Sequence, residues 1–204
     1  MFVNFMRYIF EINLLNFDPI IMKAILTLVI LTFCAISFAQ VSDPFPALDG
    51  ETLTNQRVNL PKDIKGKYAL IGMAFSKKSE NDLNTWYSPI WNQFIYKSEK
   101  PSLFAGDYDI NVFFVPMFTG AKRPAYKKVM KKVKDKMNPK LAPYVLFYQG
   151  TMKAYKKPLN FDEGRDVPYF FVIDPDGIIV YKTNGKFTHR KMREIVEAVE
   201  ASFN

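Results

Sequence analysis

Apolar residues along this chain fall into two patterns, continuous runs and helically spaced stripes, and the two alternate. Tyr68-Ala-Leu-Ile-Gly-Met-Ala-Phe75 is a continuous run, as in a strand buried on both faces of a parallel sheet. Asn111-Val-Phe-Phe-Val-Pro-Met-Phe118 repeats it. Between them Leu83, Trp86, Tyr87, Ile90, Trp91 and Phe94 recur at helical spacing, which predicts a helix with one face on the sheet. Ser79 is its expected N-cap, the hydroxyl taking a free amide while Asp82, three residues on, completes a capping box. Pro89 falls on the opposite side, where it removes a backbone hydrogen bond and bends the helix. A second helix is expected from Pro124 to about Met137, with Tyr126, Val129, Met130, Val133 and Met137 as its apolar stripe.

The end of the chain changes pattern. Tyr169-Phe-Phe-Val-Ile173 and Ile178-Ile-Val-Tyr181 flank Asp174-Pro-Asp-Gly177, a tight-turn sequence whose glycine tolerates positive φ, so an antiparallel hairpin is expected. A last helix follows Thr188 as N-cap and turns Met192, Ile195, Val196, Val199 and Phe203 inward. The fold class is therefore α/β with a mixed sheet, its parallel part built through right-handed crossovers.

Upstream of these elements, Met22-Lys23 gives a positive start, Ala24 to Ile36 an apolar run, and Ser37-Phe38-Ala39 small residues at cleavage positions. This order is that of an export signal, with residues 22–39 removed and the mature chain beginning at Gln40. The run is shorter than the ~20 residues that span a bilayer as a helix, which favours cleavage over an uncleaved membrane anchor. Glu11 and Asp18 interrupt residues 1–21, which fit poorly before such a signal and read as an upstream extension with translation starting at Met22. Lipid attachment at Cys34 fits less well than cleavage, because Phe33 stands where a small residue is needed. Residues 40–204 then form one domain, with no internal repeat and no low-complexity tract. That length buries roughly two-thirds of the unfolded surface without help from disulfides. Losing Arg7, Lys23, Glu11 and Asp18 leaves the net charge of +8 unchanged, so the basicity belongs to the domain. Cys34 is the only cysteine. An exported protein cleaved at this site contains no thiol.

The order of elements and several local motifs resemble the thioredoxin-like superfamily, especially its exported thiol-disulfide and peroxiredoxin-like branches. Phe45-Pro-Ala-Leu-Asp-Gly50, Val58-Asn-Leu60 and Lys65-Gly-Lys67 are similar to that group's N-terminal hairpin and lead-in. Val167-Pro168, Asp174-Pro-Asp-Gly177 and Gly185 are similar to its cis-proline and closing hairpin. The resemblance covers most of residues 43–202 and implies a three-layer sandwich, a central mixed sheet flanked by helices. It also implies that the chemistry sits where the first buried strand meets the next helix, here Phe75-Ser-Lys-Lys-Ser-Glu-Asn81. A helix N-terminus there stabilises a thiolate, and two sulfurs at this spacing close a disulfide. This chain has Ser76 and Ser79 instead, and a hydroxyl does no thiol exchange. The simplest reading of the segment is a capped helix start with two solvated lysines.

The resemblance assigns peptide binding to Ser76, Lys77, Lys78, Ser79, Val167 and Pro168. Its basis is that a cis bond at Val167-Pro168 presents backbone to an extended chain; a trans strand-entry proline is the alternative. Lys77 and Lys78 favour acidic partners. The second helix carries Lys127, Lys128, Lys131, Lys132, Lys134 and Lys136 around its stripe. This is either a solvated face or a surface that docks onto anionic membrane, polymer or protein. His189, the sole histidine, has no partner in the sequence for a zinc site or a catalytic triad. Asp162, Glu163 and Asp166 supply oxygens for a hard cation, though a solvated loop is the simpler reading. The glycines are too scattered to cradle phosphate.

No metal, cofactor or nucleic-acid partner is expected. The reading is an exported, redox-inactive thioredoxin-like domain that binds an envelope protein or peptide, as an assembly or chaperone-like module. Phe75-Ser76 is also similar to a motif in the thioredoxin-fold assembly factors of mitochondrial ATP synthase. The alternative is an oxidoreductase of the family's peroxidase or thiol-disulfide type working without cysteine, or a hydrolase using Ser76 or Ser79.

Overall fold

The structure is a computed structural model in which residues 43–96, 108–161 and 166–201 are described. All belong to Ser42–Asn204, the second of two units into which the chain divides. The expected signal segment, Cys34, Asp162, Glu163 and Phe203 lie outside the described residues.

The strands are β1 (Leu48–Thr52), β2 (Arg57–Leu60), β3 (Ala69–Ala74), β4 (Asn111–Thr119), β5 (Leu146–Gly150), β6 (Tyr169–Ile173) and β7 (Ile179–Asn184). They form one sheet in the order β2-β1-β5-β4-β3-β6-β7. Among the described residues four α-helices accompany them: α1 (Lys77–Ile90), α2 (Tyr126–Lys136), the single turn α3 (Lys153–Lys156) and α4 (His189–Glu200).

β3 is buried along its whole length. Parallel β4 lies on one side and antiparallel β6 on the other, so Leu70 stands between Val112 and Val172. Such a strand has no solvent face, which is why its sequence shows no alternation. Successive residues instead enter two different cores. Leu70 and Ala74 join Phe114, Phe170, Leu83, Trp86 and Ile195 on the face that carries α1, α2 and α4. Ala69, Ile71 and Met73 join Val115, Phe171 and Ile173 on the face closed by Phe45, Tyr155, Leu159 and Phe161.

The crossovers β3-α1-β4 and β4-α2-β5 are both parallel and step the same way across the sheet. Two crossovers of one hand must put both helices on one face, and their residues do share one core. From β5 the chain steps back over β4 and β3 to reach β6, and α3 on this path contributes Tyr155 to the other core. That gives the three layers, one of them thin.

The helix boundaries differ from expectation in two places. α1 begins at Lys77, with Ser76, three residues before Ser79, as N-cap. α2 begins at Tyr126 rather than Pro124, because Pro124 belongs to a 3₁₀ turn, Gly120–Ala125, whose geometry its fixed φ also suits. The α-helix persists through Pro89 and passes after Ile90 into a π turn, Trp91–Ile95. Thr188 caps α4 as expected, its hydroxyl accepting from the Lys191 amide.

Candidate functional site

The junction of β3 and α1 is built by two serines that cap each other. Ser76 Oγ accepts the Ser79 amide at 3.0 Å, and Ser79 Oγ accepts the Ser76 amide at 2.8 Å. Ser79 Oγ also accepts the Phe75 amide at 3.0 Å and donates to the Ser76 carbonyl at 3.1 Å. The expected box of Ser79 with Asp82 is thus displaced by one turn. Serine serves at N3 as Glu or Gln more often does, since its short side chain reaches back to the N-cap amide. Ser79 has no exposed surface.

The Ser76 hydroxyl donates to Asp166 Oδ1. A carboxylate is therefore tied to the start of α1, where the partial positive end of the helix stabilises negative charge. The protein itself supplies the anion that the helix mouth favours. Lys122 approaches from the turn before α2 and donates to the Phe75 carbonyl at 3.0 Å. Lys77 and Lys78 are exposed, as are Lys127, Lys128, Lys131, Lys132, Lys134 and Lys136 along α2.

The site residues proposed from sequence are only partly brought together. Ser76, Ser79 and the segment before β6 do meet, through Asp166. Ser79 and Pro168 are buried, so neither offers surface to a partner. Val167 is half-buried against the core that contains Phe161 and Tyr169. The Val167-Pro168 bond is not cis; the cis X-Pro bond among the described residues is Leu60-Pro61. This corrects the cis-proline expectation. Pro168 enters β6 as a strand-entry proline whose carbonyl accepts the Gly185 amide at 2.8 Å, so it serves the β6-β7 end of the sheet.

Asp166 and Lys122 were missed as parts of this site. Asp166 was read only as one member of an acidic loop cluster, yet its position directly before Val167-Pro168 was a usable signal. Lys122 offered none, because its reach to the Phe75 carbonyl depends on how α2 packs. Among the described residues no three His, Cys, Asp or Glu side chains form a metal-binding group. His189 stands at the start of α4 with its ring 5.2 Å from that of Phe187.

Chemically, the junction has no thiol, and both serine hydrogens are committed, one to a carboxylate and one to a carbonyl. Deprotonating Ser76 requires Asp166 as base, a carboxylate far weaker than an alkoxide, with no imidazole between them.

No protein-family model matches the chain, and no curated protein matches it. Solved structures do. BsSco, described as a member of the Sco family of cytochrome c oxidase assembly proteins, is 13% identical with a TM-score of 0.53, covering 79% of this chain and 95% of its own. Yeast Sco1 is 18% identical with a TM-score of 0.48, covering 78% and 96%. The thioredoxin domain of the thiol-disulfide oxidoreductase BVU-2223 from Bacteroides vulgatus is 19% identical with a TM-score of 0.42, covering 76% and 94%. The chain has a thioredoxin-like α/β fold. At such identity the BsSco likeness is one of fold and says nothing about chemistry.

Proposed function

We propose that this protein is an exported thioredoxin-like binding module without thiol redox activity, acting in assembly or as a chaperone-like factor. The observation that carries the reading is the state of the β3-α1 junction. Where the fold places its sulfur reagents, two serines spend their hydroxyls on capping and on Asp166. A site committed in this way contributes rigidity, and function falls to the surface around it. That surface is basic: Lys77 and Lys78 at the mouth of α1, with Ser76 and Val167 at its margin, and the lysines of α2 beyond. An acidic envelope protein or an anionic membrane suits it by charge.

Export rests on the Met22–Ala39 signal, and N-terminal sequencing of secreted protein is expected to begin at Gln40. Among the described residues no helix is long and apolar enough to cross a membrane. Insulin-reduction and peroxide-consumption assays are expected to give no turnover above buffer. Turnover in either would return the protein to the oxidoreductases. For surface binding, affinity for anionic vesicles is expected to fall with added salt and with substitution of the α2 lysines. Binding that ignores salt counts against that role.

A further inference from the structure

Between α1 and α2 the surface opens into a groove of about 550 Å³. Its floor is apolar, formed by Phe118, Ala125, Val129, Val133 and Met137. Its rim carries Lys77, Lys122, Lys132 and Lys136 against one carboxylate, Glu80. A second, narrower cavity of about 190 Å³ shares Lys77, Glu80, Phe118, Val129, Val133 and Met137 with the groove and continues past Asn84 to Leu83, Tyr87, Pro116, Val145 and Phe147. The opening therefore narrows from a cationic mouth to an apolar slot that reaches the sheet. α2 leaves this space because it is loosely seated. Tyr126 is its one buried residue, while Val129, Met130 and Val133, with Met137 at the C-cap, are half-exposed. Burial, and next the Glu80 carboxylate, push the Tyr87 phenol up to about 12, in keeping with a poorly hydrated lower slot.

We propose that the α1-α2 groove is a binding site for a single-chain amphipathic carboxylate, a free fatty acid, with the alkyl chain in the slot and the headgroup among the rim lysines. The volume lies within the roughly 300–1,000 Å³ of small-ligand pockets. Four ammonium groups against one carboxylate select an anion. Lysine stems can also cover the apolar entrance while their charged heads remain in water. The groove shares Lys77 and Lys122 with the serine junction but uses neither serine nor Asp166, so the inference stands whether or not the junction is redox-inactive.

The test is calorimetric titration of the full chain with dodecanoate below its micelle concentration. One saturable equivalent is expected. Val133→Trp fills the slot without adding charge and should weaken binding about tenfold or more. Lys77→Glu/Lys136→Glu changes only exposed rim positions and should do the same, which keeps the test decisive if Val133→Trp perturbs folding. Lys128→Glu/Lys131→Glu removes equal charge from α2 outside the groove and should change affinity by less than about twofold. Dodecyltrimethylammonium, of equal chain length and opposite charge, should not compete, and neither should acetate. Equal dodecanoate binding by the native chain and both groove variants would place the fatty acid elsewhere and overturn the proposal. So would competition by acetate or inorganic phosphate, which indicates a headgroup site only. Polyglutamate binding where dodecanoate does not bind would overturn it in favour of docking by an acidic protein segment.

Discussion

Ser76 does two jobs through one oxygen: it caps α1 by accepting the Ser79 amide, and it donates to Asp166. Ser76→Ala removes the cap and leaves Asp166 without that donor. A stability loss of about 1–2 kcal/mol is expected in urea denaturation, and an unchanged midpoint would show the cap to be idle. The two hydroxyl oxygens lie 3.2 Å apart, close enough for their replacements to bond covalently. Ser76→Cys/Ser79→Cys should therefore close a disulfide in air, read as loss of titratable thiols, with reduction restoring them. Persistently free thiols at these positions would mean that the junction lacks the geometry of a redox site. Sequence reading found both serines but assigned the cap to the wrong one. Ser76-Lys-Lys-Ser79 and Ser79-Glu-Asn-Asp82 satisfy the same local rule, and what separates them is where β3 ends, a tertiary matter.

At the scale of elements, α1 meets β3 and β6 through close aromatic packing around Trp86. The rings of Trp86 and Phe170 are 4.2 Å apart, and Trp86 Nε1 donates to the Gly185 carbonyl at 2.9 Å. Gly72 lies beneath them in β3. A Cβ there would come within 2.5 Å of Phe170 and 3.2 Å of Leu83. Gly72→Ala must push Phe170 into Trp86, and a cost of about 1–3 kcal/mol is expected. A thermal midpoint equal to that of the native protein would mean this contact is slack. α2 has no comparable seat. Its buried Tyr126 reaches β1, donating to Glu51 at 3.3 Å. The helical stripe was legible in sequence for α1, α2 and α4, whereas β5 and α3 were not. With three buried residues, Leu146, Phe147 and Tyr148, β5 is too short a run to stand out, and its place depends on the edge of β4.

Over the whole molecule the charge is positive, and among the described residues one carboxyl, Glu194, is held below its ordinary value. Glu194 on α4 accepts from Tyr181 on β7 at 2.6 Å and from Arg190 at 2.7 Å. Tyr181's hydrogen bond, with Arg190 beside it, holds the Glu194 carboxyl below its ordinary value of 4.5. A depressed carboxyl binds fewer protons folded than unfolded. Its stabilisation is thus full above the ordinary value and lost as pH falls through the depressed one. Glu194→Gln should flatten the acid limb of the stability profile, measured as midpoint against pH. An acid limb as steep as that of the native chain would remove Glu194 from this role.

The buried runs of β3, β4 and β6, the stripes of the three long helices and the turn at Asp174-Pro-Asp-Gly177 were set by local pattern, because burial on a sheet or along a helix face leaves a period in the chain. The absence of cysteine from the β3-α1 junction was also there to be read, since the sequence holds one cysteine, Cys34. Folding decided the rest. Asp166 on Ser76, Lys122 on the Phe75 carbonyl, the bond that is cis and the groove between α1 and α2 all join residues distant in the chain or depend on how fully a helix is seated. No local period records such meetings.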